Sequence, residues 1–211
     1  MKKVFWDNPY QQQLKTKINS INGTRILLDE TIAFSFSGGQ ESDGASINGF
    51  PIIASEIEGN LIYYTLKEGH GLLPNDDVVM EIDWPRRYKL MRLHFAAELV
   101  LELVTRKLSL PKIGAHIAET KARIDFIWDK NIASIFDDIL SAYNKIIESD
   151  LPIKTGFSDV EAQRRFWEID GFSKVPCGGT HVKSTAEVGF ITLKRKNIGN
   201  SKERIEIALV S

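Results

Sequence analysis

The hydrophobic period of the chain changes at Asp83-Trp84-Pro85, and the change limits what can form on either side. Before it, short apolar runs alternate with turn signals. Residues 15–19 and 24–28 flank Asn22-Gly23, a strong hairpin signal, and residues 52–57 and 61–66 flank Gly59-Asn60, a two-residue turn of the II′ kind. Residues 31–36 and 78–82 add two more strands. Six short strands with little helix between them predict a small β-barrel or sandwich. After the change, Asp83 is a suitable N-cap and Pro85 suits a first helical turn, which predicts a helix to about Lys107.

Strands are predicted at 113–117 and 122–127. From Ile132, residues Ile135, Phe136, Ile139, Leu140, Tyr143, Ile146 and Ile147 follow the i, i+3, i+4, i+7 repeat of a helix with one apolar stripe, suited to covering a sheet. A short charged helix near 159–165 and strands at 190–194 and 204–210 complete an α+β second half. The expected organisation is a β-barrel domain with a glycine-rich loop at 1–83 and an α+β domain at 84–211, packed rigidly without a linker.

Lys and Arg number 27 against 28 Asp and Glu, so a net charge of -1 excludes a general basic coat while allowing a local basic patch. Two such groupings are visible: Lys194-Arg195-Lys196 with Lys202 and Arg204, and Arg86, Arg87 and Arg92 around the helix start. The single cysteine, Cys177, excludes an internal disulfide and fits a reducing, cytoplasmic setting. Apolar Val4-Phe5-Trp6 stops at Asp7, too short for a signal sequence, and residues 90–104 carry Arg92, His94, Glu98 and Glu102, too charged to cross a bilayer. No membrane partner is expected.

Two of the four histidines stand in suggestive pairs. His94 and Glu98 are four apart on the predicted helix and share a face. Cys177 and His181 are four apart in Val175-Pro176-Cys177-Gly178-Gly179-Thr180-His181-Val182. Two imidazoles, a thiolate and a carboxylate are all zinc ligands, and a mixed S/N/O set favours zinc over magnesium or calcium. The plainer alternatives are a surface His–Glu pair and an inert buried thiol. His70, in Glu68-Gly69-His70-Gly71, reads as a loop residue, and His116 as a partly buried strand residue or a support to a site. In Ser37-Gly38-Gly39-Gln40 the glycines let backbone approach a ligand and Gln40 offers both a donor and an acceptor, although a simple turn explains the same tripeptide.

Several stretches together resemble the AlaX-type alanyl-tRNA editing proteins, free-standing relatives of the alanyl-tRNA synthetase editing domain. They are Ser37-Gly38-Gly39-Gln40 with Asp43, Asp83-Trp84-Pro85-Arg86-Arg87 with Met91-Arg92-Leu93-His94, Ala122-Arg123-Ile124-Asp125-Phe126, and the Cys177 loop. The tail from Gly189 to Arg204-Ile205 matches in kind, so the likeness runs nearly end to end. It is to the longer form, with an N-terminal barrel before an editing domain of the threonyl/alanyl-tRNA synthetase type.

The resemblance implies a zinc-dependent hydrolase that deacylates mischarged tRNA for alanine at its acceptor end, chiefly seryl-tRNA and secondarily glycyl-tRNA. Carried over by position, its metal motif falls on His94, Cys177 and His181, with Glu98 where the family has histidine. Phe95 replaces a small polar residue and Ser37 the first glycine of a Gly-Gly-Gly-Gln run. Glu98 admits three readings: fourth ligand, general base on a zinc-bound water, or mark of a metal-poor site that binds without hydrolysing. Thr180 and Glu98 are the catalytic candidates, and Gly38, Gly39, Gln40 and Gly179 the substrate-binding ones. Thr180 and Gln40 are also the polar groups suited to a serine hydroxyl, because pairing a hydroxyl discriminates more strongly than fitting a methyl group. A metal-free cysteine hydrolase built on Cys177 and His181 lacks an evident orienting acid.

Overall fold

The structure is a computed structural model that describes residues 1–210. It is α+β and divides into two compact units, Met1–Ser37 with Glu41–Tyr88, and Gly38–Gln40 with Lys89–Ser211. Among the described residues no helix is long and apolar enough to cross a membrane.

In the first unit, seven strands form one curled sheet in the order Phe50–Pro51, Ala45–Ile47, Asp77–Ile82, Gln13–Asn22, Arg25–Leu28, Leu61–Thr65, Ala54–Glu58. Both expected hairpins form. Only Gly23 and Gly59 in their turns have positive φ, so Gly23-Thr24, rather than Asn22-Gly23, is the turn between Asn22 and Arg25. Gln13–Asn22 pairs through its first half with Asp77–Ile82 and through its second with Arg25–Leu28. A register shift between Ile18 and Ser20 lies within that second half, and such a bulge sharpens local twist. Inside lie Ile18, Ile26, Leu28, Ile47, Ile62, Tyr64, Val78 and Met80.

The strand expected at 31–36 is reduced to Glu30–Thr31. Beyond it the backbone groups bond to side chains: Ile32 O accepts from Arg87, Ala33 O from Tyr64 Oη at 2.7 Å, and Phe34 N donates to Asp43 at 2.6 Å. Arg87 is fully buried, pairing with Asp43 through Nε and Nη2 and donating to Pro9 O at 2.9 Å. It is therefore a structural cation and not part of any RNA surface. The helix Trp84–Leu108 begins as expected, with Asp83 Oδ1 accepting from Arg86 N at 3.1 Å.

The second unit has two antiparallel sheets. Strands Lys112–Ile117, Ala122–Ile127, Lys202–Leu209 and Ile191–Asn197 lie side by side in that order. A three-stranded sheet joins Lys154–Asp159, Arg164–Ile169 and Ser173–Pro176. The charged helix expected near 159–165 is therefore a hairpin, closed through Gln163 in the left-handed region at φ 51°. Its alternation is masked in sequence because Arg165 shares the buried side with Trp167 and Ile169. The stretch from Ile132 forms a 3-10 turn, Ile132–Ile135, and then the helix Phe136–Glu148, which buries Ile139, Tyr143 and Ile147.

Candidate metal centre

The helix and the three-stranded sheet bring distant residues together. Arg164–Ile169 pairs with Ser173–Pro176, and Cys177 N continues the ladder onto Arg165 O at 2.9 Å. Trp167 and Cys177 are thus carried by the same sheet and set against the helix residues 94–98. His94, Cys177 and His181 place their ligand atoms within 4.8 Å of one another, the one such group of three or more among the described residues.

The imidazole of His94 is oriented from behind. Its Nδ1 lies 3.3 Å from the Thr180 carbonyl, which can only accept, so Nδ1 holds the proton. Nε2 then faces Cys177 Sγ at 3.4 Å. The His181 ring lies nearly parallel to that of His94, centroids 5.1 Å apart, and its buried Nε2 has no hydrogen-bond partner. An unpaired nitrogen buried beside a thiol and a second imidazole is costly in a metal-free pocket. A tetrahedral zinc site has ligand-to-ligand edges of about 3.3–3.6 Å, worked from its bond lengths, and the His94–Cys177 separation matches that spacing. The three residues could together hold a metal ion.

Burial disfavours the Cys177 thiolate, yet the charges of His94 and His181 outweigh it and draw the thiol down to about 6. Burial likewise opposes charge on His94, and the Cys177 thiolate and Glu98 carboxylate outweigh it, so its pKa stands well above the ordinary histidine value. Both shifts favour charge on His94 and Cys177 together, the pairing that a cation would replace by displacing protons.

Glu98 stands outside the three-residue grouping but against it. One carboxylate oxygen is 3.7 Å from His94 Nε2, and the other accepts from Trp167 Nε1 at 2.9 Å. Burial raises its pKa, and the hydrogen bond and charge of His94 more than reverse this, holding it at about 2. Phe95, fully buried, packs edge-on against both Trp167 and His181 and walls the site with apolar surface. Sequence reasoning misses Trp167, because its strand Arg164–Ile169 overlaps the charged stretch expected as a helix near 159–165 and no strand is predicted there.

Gln40 and Thr180, 140 residues apart, hold each other: Gln40 Nε2 donates to Thr180 Oγ1 at 2.8 Å, and Thr180 N donates to Gln40 Oε1 at 3.2 Å. The glycines make this possible. Gly39 has φ +91°, and a Cβ there would come 2.7 Å from the Ala115 carbonyl. That close approach lets Gln40 bridge Ile117 at the edge of the four-stranded sheet. A Cβ on Gly179 would overlap the His94 ring and lie 2.8 Å from Gln40 Oε1, whereas Gly178 faces open space. Gly38, at φ +60°, also has open space around it. His70 supports a turn, accepting from Leu72 N at 3.1 Å, and stands outside this cluster.

The model of the family described as the threonyl and alanyl tRNA synthetase second additional domain matches residues 165–206. The alanyl-tRNA editing protein AlaX-M of Pyrococcus horikoshii is 34% identical, over 99% of this chain and 97% of its own length. The AlaX-M protein of Saccharolobus solfataricus is 29% identical, with 96% of each chain covered. The alanine–tRNA ligase of Methanococcus aeolicus is 29% identical over 96% of this chain, which spans 25% of that ligase.

Proposed function

Because the chain belongs to the alanyl-tRNA editing proteins of the AlaX-M kind, we propose that it is an aminoacyl-tRNA deacylase that hydrolyses mischarged tRNA for alanine, seryl-tRNA before glycyl-tRNA. The metal is zinc, held by His94, Cys177 and His181 and completed by Glu98. The observation that carries this reading is the convergence of those three donors, with His181 Nε2 buried and otherwise unpaired. Trp167 supports Glu98 as fourth ligand by fixing one oxygen while the other faces the His94 nitrogen.

Bound zinc supplies positive charge and Lewis acidity beside the scissile ester. The protein residues supply position and selection. Thr180 Oγ1 accepts from Gln40, so its own O–H is free to be aimed at a ligand oxygen. A seryl hydroxyl satisfies that donor; an alanyl methyl leaves it unpaired, which is the stronger form of discrimination. Gln40 thus acts through Thr180 and is a positioning residue. In the Cys177–His181 loop, Cys177 N and Thr180 N are engaged by Arg165 O and Gln40 Oε1, so the loop donors for a developing oxyanion are the N–H groups of Gly179 and His181. In this reading the curled sheet of the first unit corresponds to the barrel of the longer form, and Lys89–Ser211 to the editing domain.

A second reading leaves Glu98 off the metal, where it takes the proton of the attacking water. Its position outside the tight three-residue grouping favours this. Hydrolysis of seryl-tRNA charged on the alanine tRNA tests the proposal. Release is expected from the parent with zinc, loss after chelation with recovery on adding zinc back, and loss in Cys177→Ala. Undiminished release by the chelated protein or by Cys177→Ala refutes the metal centre. Absence of release by the zinc-loaded parent refutes the activity.

A further inference from the structure

The four-stranded sheet of the second unit has one apolar face and one charged face, and the charged face has an unusual sign for this chain. Ala122, Ile124, Phe126, Ile205 and Ile207 are buried on the first. On the other, register sets His116, Arg123, Glu206 and Lys194 in one row across the strands, with Asp125, Arg204 and Lys196 in the next. Lys121 joins them, 2.7 Å from Glu206. Lys121, Arg123, Lys194, Lys196, Lys202 and Arg204 therefore share this face with Asp125 and Glu206, six cations to two carboxylates, in a chain whose net charge is -1.

The arrangement is partly rigid and partly free. Asp125 binds Arg204 Nε at 2.6 Å and also pairs with Arg123, tethering both guanidinium groups on this face. Lys194 and Lys196 are exposed on the edge strand. Arg195, between them, turns to the opposite face and pairs with Glu203 at 2.5 Å. The run Lys194-Arg195-Lys196 is thus two outward lysines around a structural arginine.

At the opposite edge of the same sheet, Gln40 bridges Ile117, next to His116 of the first row. Three strand spacings, about 14 Å, separate that edge from the lysine edge. Resting on the deacylase reading, we propose that this face is the docking surface for the phosphate backbone of the tRNA acceptor stem. The acceptor end then lies toward the sheet edge bridged by Gln40, while phosphates further in meet Lys194 and Lys196. Excess positive charge opposite a polyanion, on the sheet whose far edge Gln40 bridges, is the argument for RNA as the occupant.

The test is binding of uncharged alanine tRNA to the full-length protein across a salt series, which needs no catalysis. Lys194→Glu with Lys196→Glu is expected to weaken binding roughly tenfold or more at low salt and to lower the slope of log affinity against log salt by about 1.8, for two lost phosphate contacts. Lys194→Gln with Lys196→Gln, which keeps the face neutral if reversal impairs folding, is expected to give the same loss of slope. Lys15→Glu with Lys17→Glu makes the same change in net charge in the first unit and is expected to leave the slope unaltered. Equal losses in both pairs, an unchanged slope in the first two variants, or a parent that does not bind tRNA would overturn the proposal. A parent that binds in this way but releases no amino acid refutes the deacylase reading while leaving the surface standing.

Discussion

Gly178 and Gly179 are neighbours in one loop, and the structure gives them opposite fates on substitution by alanine. At Gly179 a methyl group would overlap the His94 ring, lie 2.6 Å from His94 Nδ1 and 2.8 Å from Gln40 Oε1. Non-bonded carbon contacts settle at about 3.5–4.0 Å, so the imidazole must retreat by about 1.5 Å or more. It has little room to do so, being buried, stacked on His181 and bonded to the Thr180 carbonyl. Overpacking of this kind costs about 1–3 kcal/mol, or about 2–12 °C in melting temperature for a chain of this size. A displacement of about 1 Å at a reacting centre costs on the order of a hundredfold in rate.

Gly179→Ala should therefore bind less zinc and lose about a hundredfold in kcat/KM for seryl-tRNA. Gly178→Ala, with nothing within 4 Å of its added methyl, should match the parent in all three measurements. Metal content after dialysis, a thermal melt and single-turnover deacylation on both variants decide the matter. A fully active, zinc-loaded Gly179→Ala protein, or equal damage from Gly178→Ala, would show that the close approach of this loop to His94 does not set the metal centre.

Other substitutions probe separate parts of the structure. Glu98→Gln keeps an acceptor for Trp167 but removes the charge; zinc affinity should fall if Glu98 is the fourth ligand, whereas retained zinc with lost turnover selects the proton-acceptor reading. Trp167→Phe keeps the ring packed against Phe95 and deletes only the donor to Glu98, so zinc affinity should fall by about 10–100-fold by competition titration, with a similar melt. Asp43→Ala strands the buried Arg87 guanidinium and should destabilise the first unit by about 3–5 kcal/mol in chemical denaturation, far more than loss of an exposed pair such as Lys154–Asp170.

Local signals carried much of the fold. Gly23 and Gly59 announced their hairpins because a two-residue turn needs positive φ at its first central position. Asp83 announced the helix because its carboxylate satisfies a first-turn N–H, and it does so on Arg86. The candidate ligands His94, Cys177 and His181 were legible as types and spacings. The same reasoning failed at 159–169, where a buried Arg165 over the Phe157 ring breaks the apolar alternation that marks a strand. It failed again at 31–36, where side chains from Tyr64, Asp43 and Arg87 take the backbone partners a strand would use.

The α+β content, most element positions and the chemistry available for a metal are legible in the chain. Each follows from interactions within a few residues: turn dihedrals, capping, periodic burial and ligand type. Packing across the fold sets that Trp167 anchors Glu98, that Gln40 locks Thr180 rather than standing free, that Arg87 is buried against Asp43, and that Arg195 is committed to the buried Glu203 instead of standing as free basic surface. Apart from the Arg195–Glu203 hairpin pair, these contacts join groups tens to more than a hundred residues apart. Their partners are set by sheet register and by the direction in which each side chain leaves its element, neither of which has a local signature in the chain.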